Sequence, residues 1–229
     1  MVENEKIERI RQFLLEKGAW DVGFTKTDDD VGGFNNAISI VIKLSDSVIS
    51  EIDESPTFTY FTHYRGVNAF IDSLILQTGM FIEKMGNNYI PIPASQSINS
   101  KGNNYEGRYS HKKVARLSGL GSIGKNALFI HKDFGPCVRL GTIFCDIEMP
   151  APSPIDDICV GCDKCVKACP AMAITGESFD ETRDRSHIFD AKSCSDYMKN
   201  NFMHIGRGAV CGICIKTCND VFKARKRNV

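Results

Sequence analysis

The sequence has no excess of charge of either sign: 28 lysines and arginines face 28 aspartates and glutamates among 229 residues, for a formal net charge of zero and a pI near 6.9. A neutral chain has no overall field with which to collect a polyanion, so recognition of nucleic acid or an acidic membrane surface would need a local basic patch. Lys223, Arg225, Lys226 and Arg227 form the one candidate, read here as a solvated end. Long apolar runs are missing as well. The most apolar stretches, residues 37–44 and 70–82, are short or interrupted by Asp72 and Gln77, below the roughly 20 consecutive apolar residues that cross a bilayer, and no membrane span is expected. Glu3, Glu5 and Glu8 precede any apolar cluster, whereas a secretory signal starts basic and continues into an unbroken apolar stretch. The expected compartment is the cytoplasm. Cysteine is scarce in the first 150 residues, where Cys137 and Cys145 sit in strand-like segments and are expected to be buried, inert thiols.

The other eight cysteines crowd between Cys159 and Cys218. In a chain without a secretory signal, such density points to metal or redox chemistry rather than a disulfide framework. Cys159, Cys162, Cys165 and Cys169-Pro170 spell C-x2-C-x2-C-x3-C-P, the bacterial ferredoxin run for a four-iron cluster. Three closely spaced thiolates wrap one cubane, and the fourth, carried off at the proline, is aimed at a second. That second set exists: Cys211, Cys214 and Cys218 repeat C-x2-C-x3-C, with Cys194 between the groups. Since the last cysteine of each run serves the other cluster in two-cluster ferredoxins, Cys159, Cys162, Cys165 and Cys218 are assigned to the first [4Fe-4S] cluster, and Cys169, Cys194, Cys211 and Cys214 to the second. Structural zinc more often uses two well-separated pairs. Asn219 follows Cys218 where proline is usual, which weakens the second motif slightly.

Around this region the chain alternates helical and strand-like patterns, giving an α+β fold class. Residues 4–17 read as an amphipathic helix stopped by Gly18, residues 37–44 as a buried strand, and the stripe from Val67 to Met85 as the longest helix. Ser110 caps a short helix over HKKVARLS, after which residues 127–131 and 138–147 read as strands. Pro150, Pro152 and Pro154 forbid a helix, so the expected boundary lies there: a mixed α/β cofactor or substrate domain over 1–150, then a two-cluster ferredoxin-like domain over 151–229.

Gly119, Gly121 and Gly124 match the dinucleotide fingerprint letter for letter, and Lys125-Asn126 nearly extends them into a P-loop. Both need a strand before the glycines and a helix after, so that the helix N-terminus faces the phosphates. Here a helix precedes and a strand follows, and Asn126 stands where a magnesium-binding hydroxyl is required. A tight glycine turn, or a loop lining a bulky cofactor, remains.

The stretch Ser110-His111-Lys112-Lys113-Val114-Ala115, then GLGSIGKNALFI, FGPCVRLGTIFCDI and the paired cysteine runs resemble the epoxyqueuosine reductase family over roughly residues 60–218. That resemblance, which extends to reductive dehalogenases, implies a cobalamin-binding α/β domain followed by two clusters that pass single electrons to a corrinoid, an electron donor such as a ferredoxin or flavodoxin, and a small-molecule substrate or corrinoid protein as partner. It implies that Gly119, Gly121, Gly124, Lys125, Asn126 and Arg139 contact the cofactor. A non-catalytic two-cluster electron carrier, or a reductive activator of a partner protein, is the alternative. The family's tRNA-acting members carry an acidic proton donor in a D-x-x-P segment upstream of the glycines. The corresponding stretch here is NNYEGRYSHKK, which leaves Tyr105, Glu106, Tyr109 or His111, with His111 the catalytic candidate because an ordinary histidine pKa suits proton transfer near neutrality. The chain also stops eleven residues after Cys218, where those members continue into a helical region, and with zero net charge this argues against tRNA as substrate.

Overall fold

The computed structural model describes residues 3–98, 105–159, 161–206 and 210–227. It is a mixed α/β structure that divides into two compact units. One comprises Met1–Lys43, Gly66–Gly121 and Arg139–Ile155; the other comprises Leu44–Arg65, Ser122–Val138 and Asp156–Val229. The single cut expected near residue 150 marks where the cysteines begin. The compact units are instead interleaved, because segments 44–65 and 122–138 pack with the cysteine-rich region.

The first unit is built on a four-stranded sheet. Helix α1 (Glu3–Glu16) buries Ile10 and Leu14 one turn apart, and Gly18, at φ +103°, stops it. Strands β1 (Asp21–Val31) and β2 (Phe34–Lys43) form an antiparallel hairpin whose two-residue turn, Gly32-Gly33, has φ of +64° and +92°. Such a turn follows the twist of its strands only with residues that tolerate positive φ. After helix α2 (Asp46–Ser50), helix α3 (Phe58–Lys84) leads into β3 (Tyr89–Ile92), which pairs antiparallel with β6 (Val138–Cys145). The strand order is β1-β2-β6-β3.

Side-chain alternation sorts the two faces of the sheet. On one face Ile38, Ile40, Ile42, Ile143 and Cys145 pack with Ile10 and Leu14 of α1 and Ile71, Leu74, Ile75 and Ile82 of α3. On the other, Ala37 and Phe144 meet Val114 of helix α4 (His111–Leu117). Strand β2 is buried over all of residues 36–42 because it is covered on both sides. Gly141 of β6 lets α3 approach: a Cβ there would lie 2.6 Å from Ile71 Cγ2 and 3.1 Å from Ile75 Cδ1.

In the second unit, β4 (Gly121–Ile123) and β5 (Phe129–His131) form a short hairpin, followed by α5 (Lys164–Ala168), a 3-10 turn at Arg185–His187, α6 (Ala191–Phe202) and α7 (Ile213–Lys226). Asp190 caps α6 by accepting from the Ser193 N–H at 2.9 Å. Gly212, at φ +81°, opens α7 against Ile52 and Tyr60, where a Cβ would come within 2.7 Å of both side chains. The basic C-terminal stretch forms the end of α7, where cations suit the helix dipole. There Lys223 pairs with Asp46 at 2.8 Å and Lys226 donates to the Asp133 carbonyl at 2.9 Å. Among the described residues no helix is long and apolar enough to cross a membrane.

The predicted helices at 4–17 and 111–117 and the strands within 37–44 and 138–147 are present. Helix α3 begins nine residues before its apolar stripe, and β1, β3 and the three helices after Cys159 are additions to the elements expected from the sequence. Replacing Gly141 with alanine is expected to cost about 1–3 kcal/mol through overpacking against two stiff isoleucines. Denaturant titration followed by the fluorescence of Trp20, the sequence's single tryptophan, measures it.

Candidate metal centre

The eight clustered cysteines gather in two sets of four. Cys165 and Cys218 feel the thiols of Cys159 and Cys162 and lie within electrostatic reach of each other. Cys194 and Cys214 are grouped in the same way with Cys169 and Cys211. Sequence distance does not order these sets: Cys218 comes from α7 to join residues of the first run, and Cys169 leaves its own run to join Cys194. The sets adjoin, since Cys214 also feels Cys165.

Both are poor places for bare negative charge. Burial, and then the neighbouring thiols, raise Cys165 and Cys214, and push Cys194 and Cys218 up to about 12; burial likewise raises Cys211. Such thiols keep their protons unless a metal compensates, and metal binding then expels them. The spacing is wide for one ion. Tetrahedral zinc with Zn–S near 2.3 Å needs sulfurs about 3.8 Å apart, yet among the described residues no three of these sulfurs lie mutually within 4.8 Å. Donor type, count and spread fit four-iron cubanes.

The β4–β5 hairpin straps the first set. Ser122 Oγ accepts from the N–H of Ile158, next to Cys159, at 2.9 Å. Lys125 Nζ donates to Oδ1 of Asp163, next to Cys162, at 3.0 Å, with its own side chain only 14% exposed. Its ammonium also feels Cys159 and Cys165. The turn closes through Ala127 N–H to the Gly124 carbonyl at 2.8 Å and Gly124 N–H to the Leu128 carbonyl at 2.9 Å. Asn126, 4% exposed, accepts from Leu128 N–H through Oδ1 at 3.2 Å. Its buried Nδ2 has no hydrogen-bond partner, and Cys218 is the thiol whose ionisation the side chain favours.

The six residues expected to contact a cofactor are divided between the units. Gly119, at φ +73°, faces the Ser153 carbonyl, 2.8 Å from where a Cβ would stand; Gly121 starts β4; and Gly124 packs on Ile130, 2.8 Å from its would-be Cβ. Arg139 donates to Asn68 Oδ1 at 2.8 Å and to the Ala94 carbonyl at 3.2 Å. Lys125 and Asn126 attend the cysteines. Each close approach or polar contact described here is made to the chain itself. The glycine turn does follow α4 and lead into β4, the order that excludes a nucleotide fingerprint.

His111 is partly buried, with Nδ1 2.9 Å from the Thr142 hydroxyl and Nε2 3.0 Å from the Pro93 carbonyl. A carbonyl only accepts, so Nε2 carries the proton and Nδ1 accepts from Thr142. Burial pushes its pKa down to about 4. A neutral imidazole with both nitrogens engaged braces Thr142 and the Pro93 carbonyl. Tyr109 donates to Asp29 at 2.6 Å and is held protonated by burial and that carboxylate. Tyr105 stands at φ +74°, and the Glu106 carbonyl accepts from Ile98 N–H at 2.7 Å. Cys137 and Cys145 are buried, and burial raises Cys145 to about 12, which keeps it an inert thiol. Sequence reasoning missed Asn68, Asp72, Ser122, Thr142 and Asp163, single polar residues that carry no pattern.

Residues 158–220 match the family described as a 4Fe-4S double cluster binding domain. An epoxyqueuosine reductase of Listeria monocytogenes is 39% identical over 71 residues, which are 31% of this chain and 19% of that protein. Among solved structures, a reductive dehalogenase described as suggesting a mechanism for B12-dependent dehalogenation has TM-score 0.71 and 16% identity, covering 92% of this chain and 31% of that one. An epoxyqueuosine reductase solved with an epoxyqueuosine-modified tRNA stem loop has TM-score 0.65 and 16% identity, covering 95% of this chain and 65% of that one. The fold and the double-cluster region therefore define the class, that of iron–sulfur proteins with the reductive dehalogenase and epoxyqueuosine reductase fold. Over part of its length the chain is similar to epoxyqueuosine reductases, and it spans only about a fifth of the length of the curated relative.

Because His111 has a folded pKa below its unfolded value, its contribution to stability is complete above about pH 6.5 and is lost as pH falls toward 4, the unfolded chain taking up the proton first. Between pH 6.5 and 5 the protein should lose about 2 kcal/mol more than a His111→Asn variant, at about 1.4 kcal/mol per pH unit. Denaturant titrations of both proteins across that range, followed by Trp20 fluorescence, measure the difference.

Proposed function

We propose that the protein is an iron–sulfur oxidoreductase that carries two [4Fe-4S] clusters, one on Cys159, Cys162, Cys165 and Cys218 and the other on Cys169, Cys194, Cys211 and Cys214, within a C-terminal ferredoxin-like region. The carrying observation is the exchange of Cys169 and Cys218 between two adjoining sets of four thiols. The clusters supply one-electron chemistry; the chain supplies eight thiolates, shields the sulfurs from water and keeps the two groups close enough for an electron to pass between them. A small low-potential donor such as a ferredoxin or flavodoxin is the partner that this chemistry requires.

The similarity to a B12-dependent dehalogenase supports a corrinoid as the acceptor. One observation favours a second reading, a two-cluster electron carrier: the residues that sequence placed around a corrinoid are tied to their own chain. Adding cobalamin to the cluster-loaded protein separates the two. A shifted cobalt spectrum supports the corrinoid-dependent reductase, and an unchanged one the carrier. The pairing of Lys223 and Lys226 with carboxylate or carbonyl groups agrees with a substrate other than tRNA.

Anaerobically prepared protein should hold about eight irons and eight sulfides, as two cubanes require. Four irons with stoichiometric zinc would overturn the assignment. In Cys169→Ala, paramagnetic resonance should show the cluster on Cys194, Cys211 and Cys214 disturbed while the other persists; the reverse would show that each run closes on itself.

A further inference from the structure

We propose that Asn126 and Lys125, the last two residues of the glycine-rich turn, raise the reduction potential of the cluster on Cys159, Cys162, Cys165 and Cys218, the amide by donating to the Cys218 sulfur and the ammonium by lying against the first cysteine run. The inference rests on the two-cluster reading. Its grounds are geometric. Asn126 is almost wholly buried, its oxygen is spent on Leu128 N–H, and its Nδ2 has no hydrogen-bond partner. A buried donor of this kind is costly unless an acceptor takes it, and the group it acts on is Cys218. Lys125 is fixed by Asp163, one residue beyond Cys162, so its charge stays beside the run instead of swinging into solvent. The Ser122 contact to Ile158 holds the other end of the hairpin to the same run.

Reduction adds one negative charge to a cluster. A hydrogen bond to a ligand sulfur and a nearby fixed cation both stabilise the added charge, and hydrogen bonds to sulfur and local charge are established determinants of cluster potential. The second set receives a donor of its own, the Ala173 N–H to Cys169 Sγ at 3.4 Å, and the charge of Lys125 is what would set the potential of the first cluster apart.

The test is a redox titration of the cluster-loaded protein, followed by paramagnetic resonance. Lys125→Gln and Asn126→Leu should each weaken reduction of the first cluster about three- to tenfold, a fall of about 28–59 mV for one electron, while the second cluster stays in place and Lys125→Arg restores the original value. An unmoved first cluster in Lys125→Gln, or equal shifts of both clusters, would overturn the proposal. If Asn126→Leu loses iron, Lys125→Gln alone decides. Wild-type protein without about eight irons would instead overturn the two-cluster reading.

Discussion

Repulsion among thiolates is the constraint on which the second unit depends. Eight sulfurs are drawn into two sets, and at Cys194, Cys214 and Cys218 burial and then mutual charge oppose ionisation. Such an arrangement is stable only as protonated thiols or as ligands to metal, so metal binding and local folding are coupled. The short helices around the sets contribute little alone: α5 has five residues, too short to persist without tertiary support. Packing of α5 with α7, together with Gly212 opening α7 at close quarters with Tyr60 and Ile52, brings Cys218 to the first run.

The β4–β5 hairpin adds a second kind of control. Ser122, Lys125 and Asn126 are successive attachments from one small turn to one cysteine set. Its backbone must turn sharply, with Ala127 at φ +56° and Gly124 packed on Ile130, so glycine is needed for approach within the chain itself. This explains why a nucleotide-like string occurs where no phosphate is held.

The first unit has its own polar clamp. His111 and Arg139 donate to the carbonyls of Pro93 and Ala94, and Asp72 accepts from the Ala94 N–H at 2.8 Å. Three side chains from α3, α4 and β6 thus fix the exit of β3 where the sheet no longer pairs it. A neutral imidazole suits this role beside the Arg139 guanidinium, since a second positive charge would be repelled.

What the sequence determined by itself was whatever depends on short spacing or strong periodicity. The stripe of α3, the Ser110 cap, the short apolar runs of β2 and β6 and the ferredoxin spacing all express local geometry, and the eight-cysteine count expresses the chemistry of cubanes. Tertiary structure decided the rest. Whether Arg139 and Lys125 meet a ligand or their own chain depends on Asn68 and Asp163, residues 71 and 38 positions away, and no local pattern encodes such a partner. The neutrality of His111 likewise comes from burial under contacts with Thr142 and Pro93. The boundary between the units failed to follow composition for the same reason: residues 44–65 carry no cysteine, yet Ile52 and Tyr60 pack at the start of α7, and buried apolar surface, rather than residue type, decides which segments fold together.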